Sequence, residues 1–128
     1  MANTDLLETQ LRNCYLSLGG DLSDVMTRLP SLALVKKFVL RFPEDASYAE
    51  LESALERGCR GDAFRAAHTL KGVCANLGFT ALLRSSSAVT ELLRQEEDSL
   101  PAGLAAPMAQ LRQDYQQTLS AIRSLTVE

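Results

Sequence analysis

The chain has one histidine, His68, in the run Asp62–Gly78, DAFRAAHTLKGVCANLG. An imidazole in water titrates near about 6.5, so close to neutral pH much of it is an uncharged nucleophile. On a helix turning about 100° per residue, with Leu70 set at zero, Ala63, Ala66, Ala67, Val73, Cys74 and Leu77 fall within about 60° of Leu70. They form the core face. His68 falls at about 160°, so its ring points to solvent or to a partner. Gly72 at about 200° and Ala75 at about 140° leave the surface beside the ring nearly bare. Lys71 places a mobile ammonium three residues on, and Arg65 lies one turn before. A glycine inside a helix costs about 1 kcal/mol relative to alanine. Two explanations offer themselves: a helix packed closely on Gly72, or space kept over the imidazole for a bulky group or an approaching protein. An exposed imidazole, an open surface and a nearby cation suit a phosphoryl group held on the ring.

Other chemistries lack their residues. No G-x-x-x-x-G-K-[ST] loop is present to cradle a nucleotide, and no acidic cluster marks a metal site. Cys14, Cys59 and Cys74 are odd in number and fit no zinc spacing, which predicts three reduced thiols in a cytoplasmic protein. With 13 Lys and Arg against 16 Asp and Glu, the chain is not a generally basic nucleic-acid binder. No stretch approaches the ~20 apolar residues of a membrane span. MANTDLLETQ lacks the basic and apolar regions of a secretory signal.

The elements that must position His68 read as helices. In Thr4–Leu18, Leu7, Leu11, Cys14, Tyr15 and Leu18 recur at helical spacing. Asp21–Leu29 is short, with Asp21 as N-cap, and Ser31 caps Leu32–Arg41. After Pro43, Glu44–Arg57 carries Tyr48, Leu51 and Leu55 on one stripe. Asp62–Leu77, Thr80–Gln95 and Ala102–Leu125 follow, with Gly78 as a left-handed helix end and Pro101 opening the last helix. A chain of 128 residues with 46% hydrophobic content and no period-two alternation predicts one all-α domain over residues 1–128. The expected architecture is an antiparallel four-helix bundle with short accessory N-terminal helices. Ser85-Ser86-Ser87 has no functional reading at this level.

His68-Thr69-Leu70-Lys71-Gly72, followed by Gly78, resembles the His-x-x-Lys-Gly-x5-Gly signature of histidine-containing phosphotransfer (HPt) domains. Ala66-Ala67 and Leu77-Gly78-Phe79 are similar to that family as well. The resemblance implies a helical bundle that relays phosphoryl groups in multistep His-Asp signalling, with His68 as phosphoacceptor. It implies a phosphocarrier without kinase activity of its own and with no intrinsic cofactor, the Mg²⁺ residing on the partner receiver. The implied partners are a response-regulator receiver domain and a hybrid histidine kinase, with no nucleic acid and no membrane insertion; monomer is the default. Lys71 would stabilise phosphoryl charge and Gly72 would give access.

The family often carries a glutamine facing the ring from the next helix. Counting along this chain puts Thr90 there, a shorter side chain, with Arg94 one turn later and Glu91 a weaker candidate. The family's receiver-docking patch corresponds to Asp21–Leu29 and Leu32–Arg41, so Val25, Met26, Leu29 and Leu34 are docking candidates. Phe64, Arg65, Ala75, Thr90 and Arg94 join them from the helices around His68. The initial Met and the lack of an attached catalytic domain favour a free-standing protein. Two further classes stand beside the relay: an adaptor that binds receivers without phosphorylation, and the phosphoacceptor domain of a chemotaxis-type kinase.

Overall fold

The structure is a computed structural model and describes residues 2–95 and 97–126. The helices are α1 Ala2–Leu18, α2 Leu22–Met26, α3 Leu32–Arg41, α4 Ser47–Glu56, α5 Arg60–Leu77, α6 Thr80–Leu93 and α7 Ala105–Thr126. No strand occurs among the described residues. The all-helical expectation holds. α4, α5, α6 and α7 pack one on the next, and α1 covers α7.

The starts of α2 and α3 follow from local chemistry. The Asp21 carboxylate accepts from the Asp24 amide at 3.1 Å, and the Ser31 hydroxyl from the Leu34 amide at 3.1 Å. Each side chain satisfies an amide that the first helical turn leaves unpaired.

Several boundaries differ from the sequence reading: α1 begins at Ala2 rather than Thr4, α5 at Arg60 rather than Asp62, and α2 ends at Met26 rather than Leu29. α4 begins at Ser47 rather than Glu44, because Phe42–Glu44 forms a separate 3-10 turn around Pro43. Asp45 is then extended, and its carboxylate accepts from the Ser47 amide at 2.9 Å. α6 stops at Leu93, where Arg94 leaves helical geometry. α7 begins at Ala105, not beside Pro101. Pro107 occupies its first turn, where a missing amide hydrogen sacrifices no intrahelical bond.

The core carries a run of aromatic rings. Tyr15 and Phe79 lie 5.7 Å apart between centroids, Phe79 and Phe42 5.1 Å, and Phe42 and Tyr115 6.0 Å. Leu11, Leu51, Leu70, Leu82, Leu93 and Leu111 fill the space around them with no exposed surface. Tilted and edge-on contacts at these distances add to the burial of the rings themselves.

The end of α1 and the segment after it fasten the turn between α5 and α6. The Tyr15 hydroxyl donates to the Leu77 carbonyl at 2.6 Å, the Asp21 amide to Gly78 at 2.8 Å, and the Ala81 amide to Gly19 at 2.9 Å. Arg28 donates to the Ala75 and Asn76 carbonyls at 2.9 and 3.0 Å. Those carbonyls belong to the last turn of α5, where no amide four residues on pairs with them; the Ala75 carbonyl also accepts from the Gly78 amide at 3.4 Å. Gly78 ends α5 at φ +69°, as the sequence predicts. Among the described residues, no helix is long and apolar enough to cross a membrane.

Candidate functional site

α5 presents its two faces as the periodicity predicts. Ala63, Ala66, Ala67, Leu70, Cys74 and Leu77 are buried, and His68 is exposed. The two explanations of Gly72 separate here. A Cβ built on Gly72 would find no atom within 4 Å beyond the helix's own nearby backbone, so no neighbouring helix packs on it. The glycine opens the surface one turn beyond the imidazole. Exposed Ala75 continues that low surface.

Lys71 and Arg65 lie about one helical turn after and before His68 on α5, and Arg94 reaches the same region through Phe64. Lys71 is half-buried and forms no ion pair with any described residue, which leaves its ammonium available. Arg65 is exposed and pairs with Asp62. Asp62 also pairs with Arg57 at 3.3 Å. Just past the end of α6, Arg94 pairs with Glu91 at 3.1 Å and sets its guanidinium carbon 5.0 Å from the Phe64 ring centroid. The Phe64 ring centroid lies 6.0 Å from that of His68, with the ring planes 17° from parallel. The structure thus brings Phe64, Arg65, His68, Lys71, Gly72 and Arg94 into one neighbourhood.

Two docking candidates are corrected. Thr90 is fully buried, and its hydroxyl donates to the Ser86 carbonyl at 2.7 Å. It faces the bundle interior and offers nothing to the ring or to a partner. Val25 is also fully buried and belongs to the core. Met26 and Leu29 are half-buried against the core, and Leu34 is half-buried.

An open groove of about 440 Å³ lies beside the second half of α5. Leu29, Phe38, Phe42, Val73 and Leu77 line it, with Arg28 and Arg41 also contributing. Val73 and Asn76 reach it from five and eight residues beyond His68, about 7.5 and 12 Å along the helix axis. Phe38 is 37% exposed there and was absent from the sequence candidates. Its apolar type on an amphipathic helix reads as core, so only the tertiary arrangement reveals it.

The serine run finds a structural role. Ser85 and Ser86 are buried on α6, and their hydroxyls donate to carbonyls one turn back, at 3.3 Å to Leu82 and 3.2 Å to Leu83. Small side chains that satisfy their own polar atoms can be buried where α6 packs on α5.

The site is thus an all-helical bundle's solvent-facing histidine, with a lysine one turn on and a bare helical surface beside it. The Hpt domain family model matches residues 33–121 of the 128. The chain belongs to the Hpt domain family, whose members carry out histidine phosphotransfer in His-Asp phosphorelays with receiver domains and histidine kinases. Such domains are phosphocarrier modules rather than kinases. No curated protein and no solved structure matches the chain.

Proposed function

We propose that His68 accepts a phosphoryl group from the aspartyl phosphate of one receiver domain and delivers it to the aspartate of another. The observation that carries this reading is the exposed His68 beside Lys71, on a helix face where nothing stands within 4 Å of a Cβ at Gly72. A lone pair on the outer ring nitrogen attacks phosphorus. The N–P bond forms as the P–O bond breaks, and the aspartate carboxylate leaves with the electron pair. The other ring nitrogen keeps its hydrogen. Delivery runs the same step backwards.

Phosphoryl transfer depends chiefly on positioning and on stabilising spread charge. Lys71 supplies positive charge, and the receiver supplies the Mg²⁺ and the remaining groups. The groove lined by Leu29, Phe38 and Val73 extends the surface available to a receiver. Three free cysteines, two of them in the core, fit a reducing cytoplasmic setting.

The test incubates the purified protein with a receiver charged by a small phosphodonor and Mg²⁺, and reads intact mass and acid lability. The expected result is an acid-labile gain of one phosphoryl group that His68→Gln abolishes. A folded protein that takes no phosphoryl group from a panel of receivers would replace this reading by the adaptor or by a kinase-specific phosphoacceptor.

A further inference from the structure

His68 has no hydrogen bond to either ring nitrogen among the described residues. Thr90, the α6 residue expected to face the ring, is buried and turned inward onto the Ser86 carbonyl. An exposed imidazole without a polar tether is free to change rotamer, and that freedom must be surrendered when the ring enters the transfer geometry. Something else must restrict it.

The structure shows one candidate chain of contacts. Phe64, one turn before His68, packs against the core and is half-buried, so its ring has a fixed base. That ring lies nearly parallel to the imidazole, at 17° and 6.0 Å between centroids. Arg94 holds Phe64 in turn, with its guanidinium carbon 5.0 Å from the ring centroid. Glu91 secures Arg94 through contacts of 3.1 to 3.3 Å. A guanidinium over an aromatic face is attracted by the ring quadrupole, and parallel-displaced rings within about 7 Å attract each other.

We propose that Phe64, clamped by Arg94 and Glu91, is the positioning residue for His68: it restricts the imidazole by ring packing rather than by a hydrogen bond. The inference rests on the phosphotransfer reading of His68. Phe64 touches no reacting atom and acts through the imidazole alone. It also relates α5 to α6, so the ring's orientation depends on the register between the two helices. Arg94 serves the site here by holding an apolar neighbour in place.

The test uses the full chain with Phe64→Leu, Phe64→Tyr and Arg94→Gln. Because His68 is the only histidine, its ring resonances are unambiguous. Side-chain coupling constants and ring-current shifts report its rotamers without any phosphoryl donor. Phosphoramidate and a charged receiver then report the rate of phosphorylation. Phe64→Leu should average the His68 rotamers, remove the ring-current shift and slow phosphorylation by about three- to tenfold. Phe64→Tyr should restore both. Arg94→Gln alters an exposed side chain, so it reads the same clamp should Phe64→Leu fail to fold; it should loosen the rotamers and slow the reaction about twofold.

Unchanged rotamers in a folded Phe64→Leu or Arg94→Gln would overturn the proposal, as would unchanged rates despite mobile rotamers. A parent protein that takes no phosphoryl group but shows a Phe64-dependent rotamer would sink the phosphotransfer reading and leave the clamp standing.

Discussion

Tyr48 and Tyr115 stack with their ring centroids 3.7 Å apart and their planes 6° from parallel, joining α4 to α7. Beside the stack, the Tyr48 hydroxyl donates to Glu52 at 2.6 Å, and Arg112 donates to both Glu52 oxygens at 2.8 and 2.9 Å. Arg112 first, and Tyr48 less strongly, hold the Glu52 carboxyl below its usual range, with partial burial working the other way. A carboxyl whose folded value is depressed contributes stability that is complete above the ordinary carboxyl range and is lost as pH falls through the folded value. Glu52→Gln should therefore lower the unfolding free energy by about 0.5–1 kcal/mol near neutral pH. The gap to the parent should close as the pH falls below the folded value. Thermal unfolding across a pH series measures it; a gap that stays constant into acid would refute the linkage.

Gly72 stands in open space, so Gly72→Ala should raise stability by about 0.5–1 kcal/mol, through helix propensity alone. A large side chain there, as in Gly72→Leu, should leave the fold intact and slow phosphoryl gain from a charged receiver by about tenfold, because it crowds the approach to the ring. Chemical denaturation and transfer rates on the same variants separate the two effects. Destabilisation by Gly72→Ala would mean that the position is packed after all.

Gly78 and Gly58 provide an internal comparison. Both adopt left-handed φ, +69° and +67°. A Cβ at Gly58 meets nothing within 4 Å, whereas one at Gly78 would lie 2.6 Å from the Asp21 carbonyl oxygen. Gly58→Ala should cost about 1 kcal/mol from backbone strain alone. Gly78→Ala should cost about 2–4 kcal/mol, because backbone must also shift. Equal losses in urea unfolding would show that the close approach is easily relieved.

The cysteines should divide by burial. Cys14 and Cys74 are in the core, and burial pushes their thiols up to about 11 and about 12. Cys59 is half-buried at the start of α5. Since the thiolate is the reactive form, an aromatic disulfide reagent at mildly alkaline pH should modify Cys59 at least about 100-fold faster than the other two. All three should react in denaturant. Peptide mapping after a short exposure checks the assignment, and early label on Cys74 would contradict it.

The features legible in the sequence were those set by local rules. The facing of His68 follows from helical period, the caps at Asp21 and Ser31 from side-chain geometry, and the end at Gly78 from its freedom at positive φ. What escaped was set by distant contacts. Thr90 lies far from His68 in sequence, so the packing of α6 on α5 decides whether it faces the ring, and that packing turns it inward. α2 has five residues, too short for periodicity to choose between core and surface for Val25. Phe38 looks like core by type and is partly exposed. The start of α7 was misplaced because two prolines competed for the same role, and Pro107 rather than Pro101 takes it.

The fastening of the α5–α6 turn by Tyr15, Gly19, Asp21 and Arg28 separates two boundaries that are usually treated as one. The family match begins at residue 33, downstream of all four. A fragment cut to the matched stretch would keep His68 but lose the donors to Ala75, Asn76, Leu77 and Gly78, and would uncover Phe79 where Tyr15 packs. The stretch shared with the family is therefore shorter than the stretch whose contacts hold the α5–α6 turn, and the longer one includes α1.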